Sequence, residues 1–77
     1  MNSAEIKQRI LQALPEAEVI ITSDDNVHFV ARIVSAAFSG RSRIARHRLV
    51  HEALGSELGR EIHALSLELK SPDEVDG

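Results

Sequence analysis

No cysteine occurs in the sequence, so neither a disulfide nor a thiolate metal site can be built from this chain alone. Tryptophan and tyrosine are missing as well, and two phenylalanines supply the whole aromatic content of 3%. The stacking platforms that single-stranded nucleic acid normally uses are therefore lacking. There is no serine in a nucleophile elbow and no Gly-rich nucleotide loop after a strand, and 77 residues offer little volume for a pocket that could desolvate a substrate. These absences argue against an enzyme. No apolar run is long enough to cross a membrane, and Met1-Asn2-Ser3-Ala4-Glu5 has no basic segment leading into an apolar one, which predicts a cytoplasmic rather than a secreted protein.

What remains is the composition of an ordinary globular domain, 43% hydrophobic and 27% charged. A chain this short has room for one domain, and its core is expected to supply only about 3–5 kcal/mol. The net charge of −3 disfavours non-specific binding to nucleic acid. The average conceals a local pattern: Arg41, Arg43, Arg46 and Arg48 fall within eight positions, while acids dominate the Asp24-Asp25 turn and the C-terminal segment.

Taken in order, Ser3 can cap a first helix with Ile6, Ile10, Ala13 and Leu14 on one face, and Pro15 ends it. Glu18 to Thr22 is rich in β-branched residues, and Phe29, Ala31 and Ile33 alternate with Val30, Arg32 and Val34, so both stretches read as strands. Ser23-Asp24-Asp25-Asn26-Val27 between them is turn chemistry and makes the pair an antiparallel hairpin. Ser35 to Phe38 reads as a short helical turn. Gly40 then permits a change of direction, and Ser42 is a good N-cap for a helix beginning near Arg43 and running toward Leu58, with Gly55 or Gly59 as its stop. Residues 35–58 thus have a helix-turn-helix outline. On the main helix Ile44, His47, Val50, His51, Leu54 and Leu58 form one stripe, assigned to the core, and Ala45, Leu49 and Ala53 form a shallower ridge open to a partner. Ile62 to Leu69 alternates strictly, with His63, Leu65, Leu67 and Leu69 on one side, and reads as a half-buried strand. Residues 71–77 are polar and short and are expected to form a flexible acidic tail to a domain spanning 1–70. Three strands with one apolar face, covered from one side by two amphipathic helices, make a two-layer α+β sandwich of order α-β-β-α-α-β.

Chemistry-bearing residues are few. His28 opens the second strand and His63 the third, so both imidazoles stand at strand ends. Two imidazoles make half a metal site, and the bland reading of each is a solvated or backbone-bonded histidine. His47 and His51 have the i, i+4 spacing of a zinc pair but no third ligand nearby, which favours ordinary packing. Arg41, Arg43 and Arg46 form a candidate cluster for an anionic partner; Arg48 lies about 160° around the helix from Arg46 at 3.6 residues per turn.

Phe38-x-Gly40, Arg46-His47-Arg48-Leu49-Val50 and Ile62-His63-Ala64-Leu65 together resemble the signature of the BolA-like family, in the same order and at similar spacing, over nearly the whole chain. The resemblance implies a mixed three-stranded sheet similar to the class II KH fold. The phosphate-clamping Gly-x-x-Gly loop of KH domains is incomplete here, since the turn reads Gly40-Arg41-Ser42-Arg43. The resemblance also implies a non-catalytic partner of a monothiol glutaredoxin that shares a [2Fe–2S] cluster with it, the glutathione arriving with the partner and neither group held by this chain alone. Of the family's two ligands, the histidine of the last motif maps onto His63, and His28 is the nearest occupant of the second. Iron–sulfur clusters accept imidazole in place of thiolate. Iron–sulfur handling or iron regulation follows as the expected function, with a small DNA-binding transcription regulator using Arg41, Arg43 and Arg46 as the alternative. Alone, the chain is expected to be a monomer or weak homodimer. It departs from the family after the last strand, where Ser71-Pro72-Asp73-Glu74 is not followed by the usual tryptophan.

Overall fold

The computed structural model describes residues 3–25, 27–61 and 65–76, with side chains at all of these except 56–61 and 76. The element order is α1 (Ser3–Ala13), β1 (Glu18–Thr22), β2 (Phe29–Val34), a 3₁₀ turn (Ala36–Phe38), α2 (Arg43–Glu61), β3 (Leu65–Lys70) and α3 (Pro72–Asp76). β2 is the central strand, antiparallel to β1 and parallel to β3. The sheet is therefore mixed, and the α+β class expected from the sequence holds.

Alternation decides which face of the sheet is covered. Phe29, Ala31 and Ile33 of β2 are buried, as is Val19 of β1, and the half-buried Leu65, Leu67 and Leu69 of β3 lie on the same side. Ile6, Ile10 and Leu14 from α1, Val50 and Leu54 from α2, and Phe38 from the 3₁₀ turn close over them in one core. The opposite face carries Glu18, Ile20, Thr22, Val30, Arg32, Ser66 and Glu68, all exposed, so the sandwich has two layers and no third. Ala13, expected on the inner face of α1, is exposed; Leu11 packs partly against the core instead.

α2 starts as expected. The Ser42 hydroxyl accepts from the Ala45 N–H at 3.2 Å, and the Ser42 carbonyl accepts from Arg46 at 3.0 Å. Its inward face, however, differs from the expected one. Ile44 is 67% exposed and His51 is exposed, whereas Val50 and Leu54 are fully buried and Leu49 packs partly against the core. The inner stripe is Arg46, Leu49, Val50, Ala53 and Leu54, an i, i+3, i+4, i+7, i+8 series headed by an arginine. Leu49, Ala45 and Ala53 are half-buried and do not form a bare outward ridge. Gly55 interrupts the helix with φ 80° and ψ 164°, and helical geometry resumes beyond it to Glu61, past the expected end at Leu58.

Of the strand expected over Ile62 to Leu69, the described part is β3 from Leu65, and residues 62–64 lie outside the described residues. The largest departure is at the C-terminus. In place of a loose tail there is a single helical turn, α3, and Ser71 at its start is only 2% exposed. The reason is a capping box. Glu74 Oε1 accepts from the Ser71 N–H at 2.7 Å and from the Ser71 hydroxyl at 2.9 Å, with Pro72 at the first helical position, where its missing N–H is no loss.

Candidate functional site

His28 follows a turn built by one carboxylate. Asp25 Oδ1 accepts from the backbone N–H of Val27 at 2.9 Å and of His28 at 2.8 Å, an arrangement that a short acidic side chain makes readily in a turn. Its other oxygen, Oδ2, accepts from the His28 ring at Nδ1, 2.8 Å away. Three donors, the His28 N–H foremost, then the His28 ring and the Val27 N–H, hold the Asp25 carboxyl well below the usual carboxylate range. For the imidazole the consequence is a chosen tautomer: with Nδ1–H given to Asp25, a neutral His28 presents the Nε2 lone pair outward. A carboxylate behind a histidine is the usual way a protein orients a metal-binding imidazole. The His28 side chain is 75% exposed.

The sheet register sets what lies nearby. Phe29 is paired with Leu65, so the two parallel strands begin side by side at one end of the sheet, one residue after His28 and two after His63 in the sequence. His63 itself is outside the described residues. Among the described residues, no three His, Asp or Glu side chains converge as a metal site. His47 is half-buried on α2 beside Leu67 and Leu69, and His51 is exposed.

The basic residues separate. Arg41 and Arg43 are exposed. Arg46, expected with them in an anion-binding cluster, is turned inward, its side chain 13% exposed. Its Nε donates to the Arg41 carbonyl at 3.0 Å, and Nη1 donates to the Leu69 carbonyl at 3.2 Å and to Glu74 Oε1 at 2.7 Å. It therefore clamps α2 to the end of β3 and to α3. A second tie is formed by Glu16, whose Oε1 accepts from the buried Ser35 hydroxyl at 2.5 Å and from the Ala36 N–H at 2.9 Å, anchoring the 3₁₀ turn. Sequence reasoning missed both. For the clamp a signal existed in the Ser-x-x-Glu spacing of residues 71 and 74; for Glu16, separated from Ser35 by 19 positions, there was none.

Glu74 makes the clamp pH-sensitive. The Ser71 N–H first, then Arg46 and the Ser71 hydroxyl, lower its pKa from 4.5 to about 2. The folded protein binds this proton less readily than the unfolded chain, so the contribution to stability is complete above about 4.5 and is lost as the pH falls toward about 2. Asp25 and Glu16 are lowered too and act in the same direction. The urea midpoint should fall steadily on acidification across this window, and Glu74→Gln should flatten the profile; an unchanged slope in that variant would rule out the clamp as its source.

No helix among the described residues is long and apolar enough to cross a membrane. The profile of the BolA-like protein family matches residues 5–74. SufE-like protein 1, chloroplastic/mitochondrial, of Arabidopsis thaliana is 50% identical over 52 residues, which are 68% of this chain and 14% of that protein. BolA-like protein 1 of Mus musculus is 44% identical over 52 residues, 68% of this chain and 38% of that one, so the chain spans well under two thirds of the curated relatives it matches. The solved structure of a BolA protein homologue from Coxiella burnetii superimposes with a TM-score of 0.82 at 42% identity, covering 100% of this chain and 99% of that one. The family match over residues 5–74 and the superposition over the whole chain agree: the chain belongs to the BolA-like protein family.

Proposed function

We propose that this protein acts without catalysis, as the partner of a monothiol glutaredoxin, and contributes His28 and His63 to a [2Fe–2S] cluster shared between the two chains, in iron–sulfur handling or iron regulation. The observation that carries the reading is the His28 ring, oriented by Asp25 with Nε2 free, at the end of the sheet where β2 and β3 begin together. The described part of the chain fits the role of an incomplete ligand set: one prepared imidazole, exposed for a second protein to cover. The remaining ligands, the thiolates among them, come from the partner and its glutathione, since this sequence has no cysteine. Bound there, the cluster would supply electron-transfer or iron-donor chemistry, and imidazole ligation raises its potential. Asp25 holds the His28 tautomer, and the hairpin keeps the imidazole at the sheet end.

Anaerobic reconstitution with a monothiol glutaredoxin and glutathione tests this. The mixture should give visible absorption and circular dichroism distinct from the glutaredoxin alone. His63→Ala should abolish the difference, and His28→Ala should alter it. A spectrum indifferent to both histidines would sink the reading. The nucleic-acid alternative has less support, because Arg46 is committed inside the domain and only Arg41 and Arg43 of the expected cluster stand free on the surface.

A further inference from the structure

β3 is an edge strand, and its free edge is only partly closed. The Ser35 N–H donates to the Lys70 carbonyl at 3.0 Å, so Lys70 turns its backbone groups toward β2. Backbone groups alternate sides along a strand, which turns those of Glu68 and Ser66 the same way and those of Leu65, Leu67, Leu69 and Ser71 outward. Two of the outward groups are taken. Arg46 donates to the Leu69 carbonyl, and Glu74 accepts from the Ser71 N–H. The outward N–H and C=O of Leu67 have no partner among the described residues, and an open groove bordered by Arg43 and His47 of α2 runs along this edge beside Leu67 and Leu69. An open edge invites a strand.

We propose that the outer edge of β3 is a self-pairing surface for a second copy of this chain, held closed by the Arg46–Glu74 clamp. The strand is complementary to itself when two copies run antiparallel about Leu67. Leu65 then faces Leu69 of the other copy on the core side, and on the solvent side Ser66 faces Glu68, so no like charges are directly opposed. In this register the Leu65–Leu69 pair exchanges both of its backbone hydrogen bonds, and the Leu69 carbonyl that it needs is the one Arg46 holds. Sliding the register by two residues, to seek more pairing toward the C-terminus, would set Glu68 against Glu68. The clamp therefore blocks the favourable register and charge repulsion blocks the next.

Sedimentation of the full chain and its Arg46→Met and Glu74→Gln variants, with amide exchange measured at Leu67, tests this. The variants should self-associate at least about tenfold more tightly than the unsubstituted protein, and the Leu67 amide should slow on association. Glu74→Gln keeps an acceptor for Ser71 but removes the charge that holds the Arg46 guanidinium, and it decides the matter if Arg46→Met fails to fold. Variants with native circular dichroism that associate no better than the unsubstituted protein overturn the proposal, as does association that leaves Leu67 exchange unslowed.

Discussion

Phe38→Ala should leave the protein largely unfolded at 25 °C. The ring is fully buried, and it is the largest of the fully buried side chains. It comes from a three-residue 3₁₀ turn that has little cohesion of its own, yet Ser35 caps the turn, Glu16 pins it from the other side of the chain, and the Ser35 N–H bonds to the end of β3. The turn is thus held at the sheet end so that the phenylalanine joins the buried core cluster. Removing such a ring costs about 3–5 kcal/mol, through lost burial and the cavity left behind. A domain of this size commands about 3–5 kcal/mol in total, so the two quantities cancel. Phe38→Leu keeps most of the volume and should retain a cooperative urea transition at a lower midpoint. Circular dichroism in urea checks both: a Phe38→Ala protein with a midpoint near the unsubstituted one would mean that the turn is not part of the cooperative unit.

Much of the architecture was legible because alternation is a strong signal. The run from Phe29 to Val34 has period two and is buried in period two, and the acidic turn before it enforces a hairpin. The helical face was harder, for a particular reason. Counting Arg46 as polar rotates the apparent apolar stripe of α2 toward Ile44 and His47. In the fold Arg46 heads the inner stripe, because its methylenes lie along the domain while its guanidinium reaches past the sheet edge to Leu69 and Glu74. Ile44, about 160° around the helix from Arg46 at 3.6 residues per turn, is left outside. The C-terminal turn carried a readable capping signal that polarity obscured. At the candidate site, the turn residues marked His28 as lying at a strand end, but the Asp25 contact that selects which ring nitrogen carries the proton arises only in the folded turn. His63 rests on the family signature.

The glycine in the middle of α2 gives the sharpest test of sign. Were the helix continuous, Gly55→Ala would stabilise the protein by about 1 kcal/mol, because alanine loses less backbone freedom than glycine when a helix forms. Gly55 instead has φ 80° and ψ 164°, a region that is essentially closed to residues with a Cβ. Crowding is not the obstacle, since a Cβ at this position would find its nearest neighbour, Arg9 Nη1, at an ordinary 3.8 Å. The penalty is the backbone's own, about 1–3 kcal/mol, and it falls immediately after Leu54, the last buried side chain described on α2. Gly55→Ala should accordingly lower Tm by roughly 4–8 °C for each kcal/mol lost in a domain this size. Gly55→Val, whose β-branched side chain narrows the backbone further, should lower it more. If the alanine variant melts higher than the unsubstituted protein, the break is absent in solution and α2 runs straight through. If it melts lower with its core intact, the break belongs to the fold.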